Sequence, residues 1–116
     1  MSTTADRFYA TWSDRMGHAK ASAPDIARGF GSMFAAIMKE GALTVRDKEL
    51  IALAIGVSMG CEACIYAHVE KCLKVGATPE QIVEAAGVAV VMQGGPAYTH
   101  LPEVVEAIDH LTAPKA

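Results

Sequence analysis

Two cysteines and a histidine stand at spacings that could support thiol redox chemistry. Cys61 and Cys64 enclose a Cys-Glu-Ala-Cys segment, and His68 follows four residues after the second cysteine. On one helix the three side chains fall within about 60° of each other, because successive residues turn by roughly 100°. Cysteines three residues apart can close and reopen a disulfide, and a neutral imidazole can take a thiol proton. The spacing therefore predicts a reversible disulfide beside a base.

The residues alone leave open which sulfur is the nucleophile. A helix N-terminus carries partial positive charge, which favours a thiolate at Cys61. The imidazole of His68 lies nearest Cys64, one turn away, and favours a thiolate there instead. Both assignments are compatible with this pattern.

Glu49 is a candidate for orienting the histidine. It precedes Cys61 by twelve residues and lies on the preceding predicted helix. If the chain doubles back at Gly60, Glu49 lies roughly 16 Å from the turn and His68 roughly 12 Å, an offset that a glutamate side chain can cover. The alternative is that Glu49 is one more solvated residue in a charged first turn.

A zinc site is a second interpretation of these residues, which lie along one side of the predicted helix. Its ligands would be Cys61, Cys64, His68 and, as a fourth, Cys72. The four positions would extend over roughly 16 Å along one helix, whereas bonds to zinc are only about 2.0 to 2.3 Å long. One ion could not reach all four, so we expect no metal and no other cofactor. Cys72 is expected to be a small buried hydrophobic residue. His18, His100 and His110 have no partner at an informative spacing and receive no role.

The hydrophobic pattern predicts an all-α bundle of about six helices. Short breakers separate segments with apolar residues at intervals of three and four, and no useful length alternates with period two. The predicted helices are Asp6–Met16, Pro24 to Gly41, Thr44 to Gly60, Cys61–Val75, Thr78 to about Met92, and a last one carrying Leu101 to Leu111.

Local residue types sharpen three of these predictions. Thr44 with Asp47, and Thr78 with Gln81, have the spacing of a capping box. The segment Leu50 to Met59 is apolar on nearly every face and predicts a central buried helix. Gly94-Gly95-Pro96 predicts a turn. The methionines at 33, 38, 59 and 92 are expected to fill the core.

Length and composition limit the class of protein. The chain has 116 residues, 52% of them hydrophobic, and a formal net charge of −3. This predicts one domain over residues 1–116, a tendency to self-associate, and no nucleic-acid partner. The first residues lack the apolar core of a signal peptide, and the longest apolar stretch, Leu50 to Cys61, is too short to cross a bilayer. We therefore expect a cytoplasmic protein without a membrane partner, and three cysteines argue against a fully paired secreted framework.

The pattern Glu49-x11-Cys61-x2-Cys64-x3-His68 resembles the signature of AhpD-like proteins of the carboxymuconolactone decarboxylase superfamily. The similarity covers roughly Pro24 to Gln93. It implies an all-helical alkylhydroperoxidase-type subunit that assembles into a trimer or hexamer. It also implies roles: Cys64 as the peroxidatic thiolate, His68 as its base, Glu49 behind the histidine, and Cys61 as the resolving thiol.

One departure from the family pattern bears on activity. Peroxidase members carry a second histidine just before the second cysteine, and Ala63 stands there in this chain. The resemblance implies a thiol-dependent hydroperoxide or disulfide reductase, whose partners are a hydroperoxide and a dithiol or protein-thiol donor. A carboxymuconolactone decarboxylase-like lyase and a non-enzymatic redox-sensing or zinc-binding module are the alternatives.

Overall fold

Seven helices and no strand are found in the computed structural model, which describes residues 2–114. The helices are α1 (Thr4–Ser22), α2 (Pro24–Met38), α3 (Val45–Met59), α4 (Glu62–Lys74), α5 (Pro79–Gln93), α6 (Gly95–Tyr98) and α7 (Leu101–Thr112). Six of them are long, and α6 is a single turn of four residues. The prediction of an all-α fold with about six helices is confirmed.

Local capping explains where the helices begin. Thr78 and Gln81 form the full capping box that their spacing predicts. Thr44 accepts from the backbone N–H of Asp47, which is half of the predicted box. The first helix is longer than predicted, because Thr3 and Asp6 form a capping box upstream and the helix continues to Ser22, with Ala23 before Pro24 as its C-cap. The predicted turn at Gly94 exists, but Gly95 and Pro96 already begin α6.

The core lies around α3 and α4. Helix α3 packs against α4 and α5, and α4 also packs against α7. The largest fully buried side chains come from these helices: Tyr66, Leu53, Ile65, Ile82, Val57, Val69 and Val104. The Tyr9 hydroxyl donates to the carbonyl of Tyr66 and fixes α1 against α4. Helix α4, which carries the cysteine and histidine stripe, is therefore held from several sides.

Two burial predictions are wrong. Helix α3 is central, but Ile51, Ile55 and Met59 on one of its sides are exposed. Met33 and Met92, expected in the core, are exposed as well. The physical reason is that α2 contacts α1 and α3 only sparsely and buries none of its own residues, so one side of the bundle has no cover within the described chain.

Among residues 2–114, none of the helices combines the length and the apolar character needed to span a membrane.

Candidate redox site

The cysteine pair lies at the first turn of α4. Cys61 is the N-cap of this helix, and its sulfur accepts the backbone N–H of Cys64 at 3.2 Å. The two cysteines form a disulfide whose Cα atoms are 5.2 Å apart, an ordinary separation for such a bond. Both residues are half-buried, so the pair lies at the surface of the core rather than inside it. After reduction, the Cys61 sulfur at this position would face a backbone N–H and the positive end of a helix, an environment that favours the thiolate over the thiol.

Two glycines of α3 permit this position of the pair. Gly60 ends α3 in the left-handed conformation, with φ of 64°, and reverses the chain directly before Cys61. Gly56 lies one turn earlier, where a Cβ would come within 3.1 Å of the Cys64 Cβ. The close approach of α3 and α4 at this point therefore requires a residue without a side chain.

Glu49 and His68 meet across the α3–α4 contact. Glu49 Oε1 lies 2.6 Å from His68 Nδ1, and their side chains are 5% and 16% exposed. A carboxylate can only accept, so Nδ1 of a neutral His68 carries the proton and Nε2 carries the lone pair. Cys64 stands one turn before His68 on the same side of the helix. The arrangement gives a base whose orientation is fixed by a buried carboxylate.

Helix α2 packs beside His68. The ring of Phe34 stacks on His68 with centroids 6.2 Å apart, and the Lys71 ammonium lies 4.1 Å from the Phe34 ring centroid. Lys48, next to Glu49 in sequence, donates to the carbonyls of Ile37 and Lys39 at 2.7 Å each and caps the end of α2. Sequence reasoning missed these roles, because they depend on how α2 crosses α3.

Two further histidine–carboxylate pairs were also missed. His100 Nδ1 lies 2.7 Å from Glu103 Oε1, and their spacing of three residues at the start of α7 is a signal that could have suggested this pair. His110 Nδ1 lies 2.6 Å from Asp6 Oδ1 and joins α7 to α1. No sequence signal marks that second pair, because its members are 104 residues apart.

Cys72 lies apart from the disulfide. It is fully buried, and burial together with the charge of Glu49 raises the pKa of its thiol to about 12. Across residues 2–114 no three side chains among His, Cys, Asp and Glu come close enough together to hold a metal ion.

Sequence comparison relates this chain to known proteins. The model of the carboxymuconolactone decarboxylase family matches residues 24–107. The chain is 34% identical over 96 residues to an uncharacterized protein of the cox locus of Paracoccus denitrificans, covering 83% of this chain and 86% of that protein. It is 36% identical over 58 residues to the alkyl hydroperoxide reductase AhpD of Corynebacterium kroppenstedtii, covering 50% of this chain and 33% of that one.

Solved structures extend the similarity over the whole fold. A carboxymuconolactone decarboxylase family protein from Legionella pneumophila superimposes with a TM-score of 0.88 at 32% identity, covering 96% of this chain and 99% of that one. A family protein from Thermotoga maritima gives a TM-score of 0.68 at 32% identity, covering 73% and 88%.

Proposed function

The chain belongs to the carboxymuconolactone decarboxylase family, and we propose that within it this protein is a thiol-dependent hydroperoxide reductase. The observation that carries the proposal is the Cys61–Cys64 disulfide at a helix N-terminus, one turn from an imidazole held by a buried carboxylate. The partial similarity to an AhpD supports the same chemistry. The protein would act on a hydroperoxide in a reducing compartment, the cytoplasm, where dithiols that reopen the disulfide are maintained.

The first step uses Cys64 as the nucleophile. His68 Nε2 takes the proton of the Cys64 thiol, and the thiolate attacks the terminal oxygen of the hydroperoxide. The O–O bond breaks, its electron pair leaves with the alkoxide, and the proton on His68 passes to that alkoxide to give an alcohol. Cys64 is thereby oxidised to sulfenic acid.

The second step closes the disulfide. The Cys61 thiolate attacks the Cys64 sulfur, an S–S bond forms, and hydroxide leaves as water after taking up a proton. A dithiol or protein-thiol donor then reopens the ring by two successive thiol–disulfide exchanges and leaves as a disulfide. Glu49 holds the His68 ring in position and balances its charge while it carries the proton. No metal, haem or flavin takes part in this cycle.

The experiment that tests the proposal maps the first oxidised sulfur. Reduced protein is treated with tert-butyl hydroperoxide in the presence of a sulfenic-acid probe, and the labelled peptide is identified by mass spectrometry. In the Cys61→Ser variant, which cannot close the ring, we expect label on Cys64. In the Cys64→Ser variant we expect none, and Cys72→Ser serves as the control that behaves as wild type. Label on Cys61, or none at all, would overturn the assignment.

The turnover assay separates this function from the alternatives. With dithiothreitol as donor, His68→Gln should lower peroxide turnover by roughly 10² to 10⁴, the usual contribution of a general base. A double Cys61→Ser, Cys64→Ser variant should have no turnover. A lyase of the decarboxylase type would retain its activity in that double variant, and a redox sensor would form the disulfide once without turning over.

A further inference from the structure

A second histidine lies beside the turn that leads into the cysteine pair. His100 precedes α7, and its Nε2 packs against Gly60, where a Cβ would come within 2.7 Å of it. Gly60 is the residue directly before Cys61, the N-cap of α4. Each cysteine thus has an imidazole near it along the chain: His68 follows Cys64 on α4, and His100 adjoins the backbone of Gly60, next to Cys61.

Glu103 fixes the orientation of this histidine. Its Oε1 lies 2.7 Å from His100 Nδ1, so Nδ1 carries a proton and Nε2 is directed to the turn. Its other oxygen, Oε2, is buried without a hydrogen-bond partner among the described residues. This contact holds the imidazole ring in one orientation, with Nε2 on the side of Gly60.

The charged groups near Tyr66, Glu103 among them, come from three helices. The pKa of Tyr66, which faces α7 from α4, is raised to about 12 by burial and by the charges of Glu103, Glu62 and Glu106, while Arg7 of α1 opposes the shift. Tyr66 therefore remains a neutral phenol at physiological pH and exchanges no proton with the site. On this side of the turn, His100 is the group suited to hold a proton near Cys61.

We propose that His100, oriented by Glu103, serves Cys61 as His68 serves Cys64. This inference rests on the proposed disulfide cycle and adds a second proton carrier to it. During closure, the Cys61 thiol gives its proton to the free Nε2 of His100, and the thiolate attacks the Cys64 sulfur to form the S–S bond. The hydroxide that leaves Cys64 takes up a proton from solvent and becomes water. During opening, a donor thiolate attacks Cys64, the S–S bond breaks, and its electron pair settles on Cys61, where the imidazolium stabilises the thiolate. Ala63, which has no titratable group, makes no such contribution.

The roles of the two histidines can be distinguished in variants that each retain only one cysteine of the pair. In a Cys64→Ser background, the rate of Cys61 alkylation by iodoacetamide is followed against pH with and without His100→Gln. We expect His100→Gln to move the midpoint of the pH profile of Cys61 alkylation to higher pH by about half to one unit. At neutral pH this shift slows alkylation about three- to tenfold. In a Cys61→Ser background, His100→Gln should leave the rate of Cys64 alkylation unchanged, whereas His68→Gln should slow that alkylation.

His110→Gln is the matched control, because it removes a histidine that also pairs with a carboxylate but lies at the α1–α7 contact. It should leave the Cys61 profile unchanged. Equal effects of His100→Gln and His110→Gln, or no effect of either, would overturn the proposal. Alkylation needs no peroxide, so this outcome is independent of whether peroxide turnover is found.

A measurement on the unsubstituted protein covers the case in which His100→Gln fails to fold. Because coupling between two groups is reciprocal, a Cys61 thiolate must favour the proton on His100. The ¹⁵N signals of the His100 ring should therefore show more of the doubly protonated form in reduced than in oxidised protein at the same pH. Identical signals in the two states would contradict the proposal.

Discussion

At the scale of single residues, burial separates Cys72 from the other two thiols. Its pKa is raised to about 12, so at neutral pH it remains a thiol and not the reactive thiolate. We expect iodoacetamide to modify Cys61 and Cys64 in the reduced, folded protein and to modify Cys72 only after denaturation. Mass spectrometry of the alkylated peptides measures this. Modification of Cys72 at a rate similar to the other two would show that the helix opens around it.

The buried pair of Glu49 and His68 should affect stability as well as chemistry. Replacing His68 by Leu leaves the carboxylate of Glu49 buried without its donor, which we expect to cost about 3 kcal/mol of unfolding free energy. Replacing both residues by Leu removes the unpaired charge and should bring stability back to within about 1 kcal/mol of the wild type. Urea unfolding of the two single variants and the double variant measures the coupling.

The pair of His110 and Asp6 is the control for the substitutions at Glu49 and His68. It has the same distance of 2.6 Å, but its side chains are about one third exposed, so solvent screens it. We expect His110→Leu to destabilise the protein far less than His68→Leu. If the losses of unfolding free energy in the Glu49 and His68 single variants simply add in the double variant, the two side chains do not act as a unit.

At the scale of helices, the α3–α4 contact depends on Gly56. Alanine at this position would bring two Cβ atoms to 3.1 Å, and Cys64 would have to shift by a few tenths of an ångström. We expect Gly56→Ala to lower the unfolding free energy by about 1 kcal/mol or more, despite the better helix propensity of alanine. It should also slow closure of the disulfide after a pulse of hydroperoxide, because Cys64 is displaced from Cys61.

Gly17 offers a matched control on α1. A Cβ there would meet nothing within 4 Å, and the residue is exposed inside a helix. We expect Gly17→Ala to raise stability by roughly 0.5 to 1 kcal/mol and to leave disulfide closure unchanged. Destabilisation by both substitutions would show that the effect at Gly56 is not due to its contact with Cys64.

The same helices show what a sequence can predict. Capping residues and apolar spacing are local, so the beginnings of α3 and α5 and the stripe on α4 were predictable. The meeting of Glu49 with His68 followed from a reversal at Gly60 and simple helix rise. The position of His100 against Gly60, and of Phe34 beside His68, depends on how distant helices cross, and no local pattern encodes that.

At the scale of the whole molecule, an uncovered apolar surface is the main feature. Ile26, Phe30, Met33 and Ile37 lie within about 60° of each other on α2, and each is more than half exposed. Apolar residues are also exposed on α3, among them Met59, and on α5, among them Met92. A row of exposed apolar residues along one side of a helix, as on α2, is typical of an association surface. The apolar residues of α3 were predicted to be buried within one chain; we propose instead that a second copy of the chain covers them.

The last prediction concerns that association. We expect the protein to sediment as a homo-oligomer, in keeping with the trimer or hexamer that the family resemblance implies, and Phe30→Glu to shift it toward the 12.2 kDa subunit. Losing a buried phenylalanine costs about 1.5 to 3 kcal/mol, a tenfold or larger loss of affinity, and a closed ring repeats that loss at each contact. Analytical ultracentrifugation over a range of concentrations measures the shift.

Ala35→Glu is the control for Phe30→Glu, because Ala35 is exposed about 180° away from Ile26 on the same helix. It adds the same charge and should leave the oligomer intact. Helix α2 also carries Phe34, which stacks on His68. Dissociation should therefore weaken the packing of Phe34 against His68, so that peroxide turnover falls together with the sedimentation coefficient. A wild-type monomer, or equal dissociation by both substitutions, would show that another surface, or none, holds the copies together.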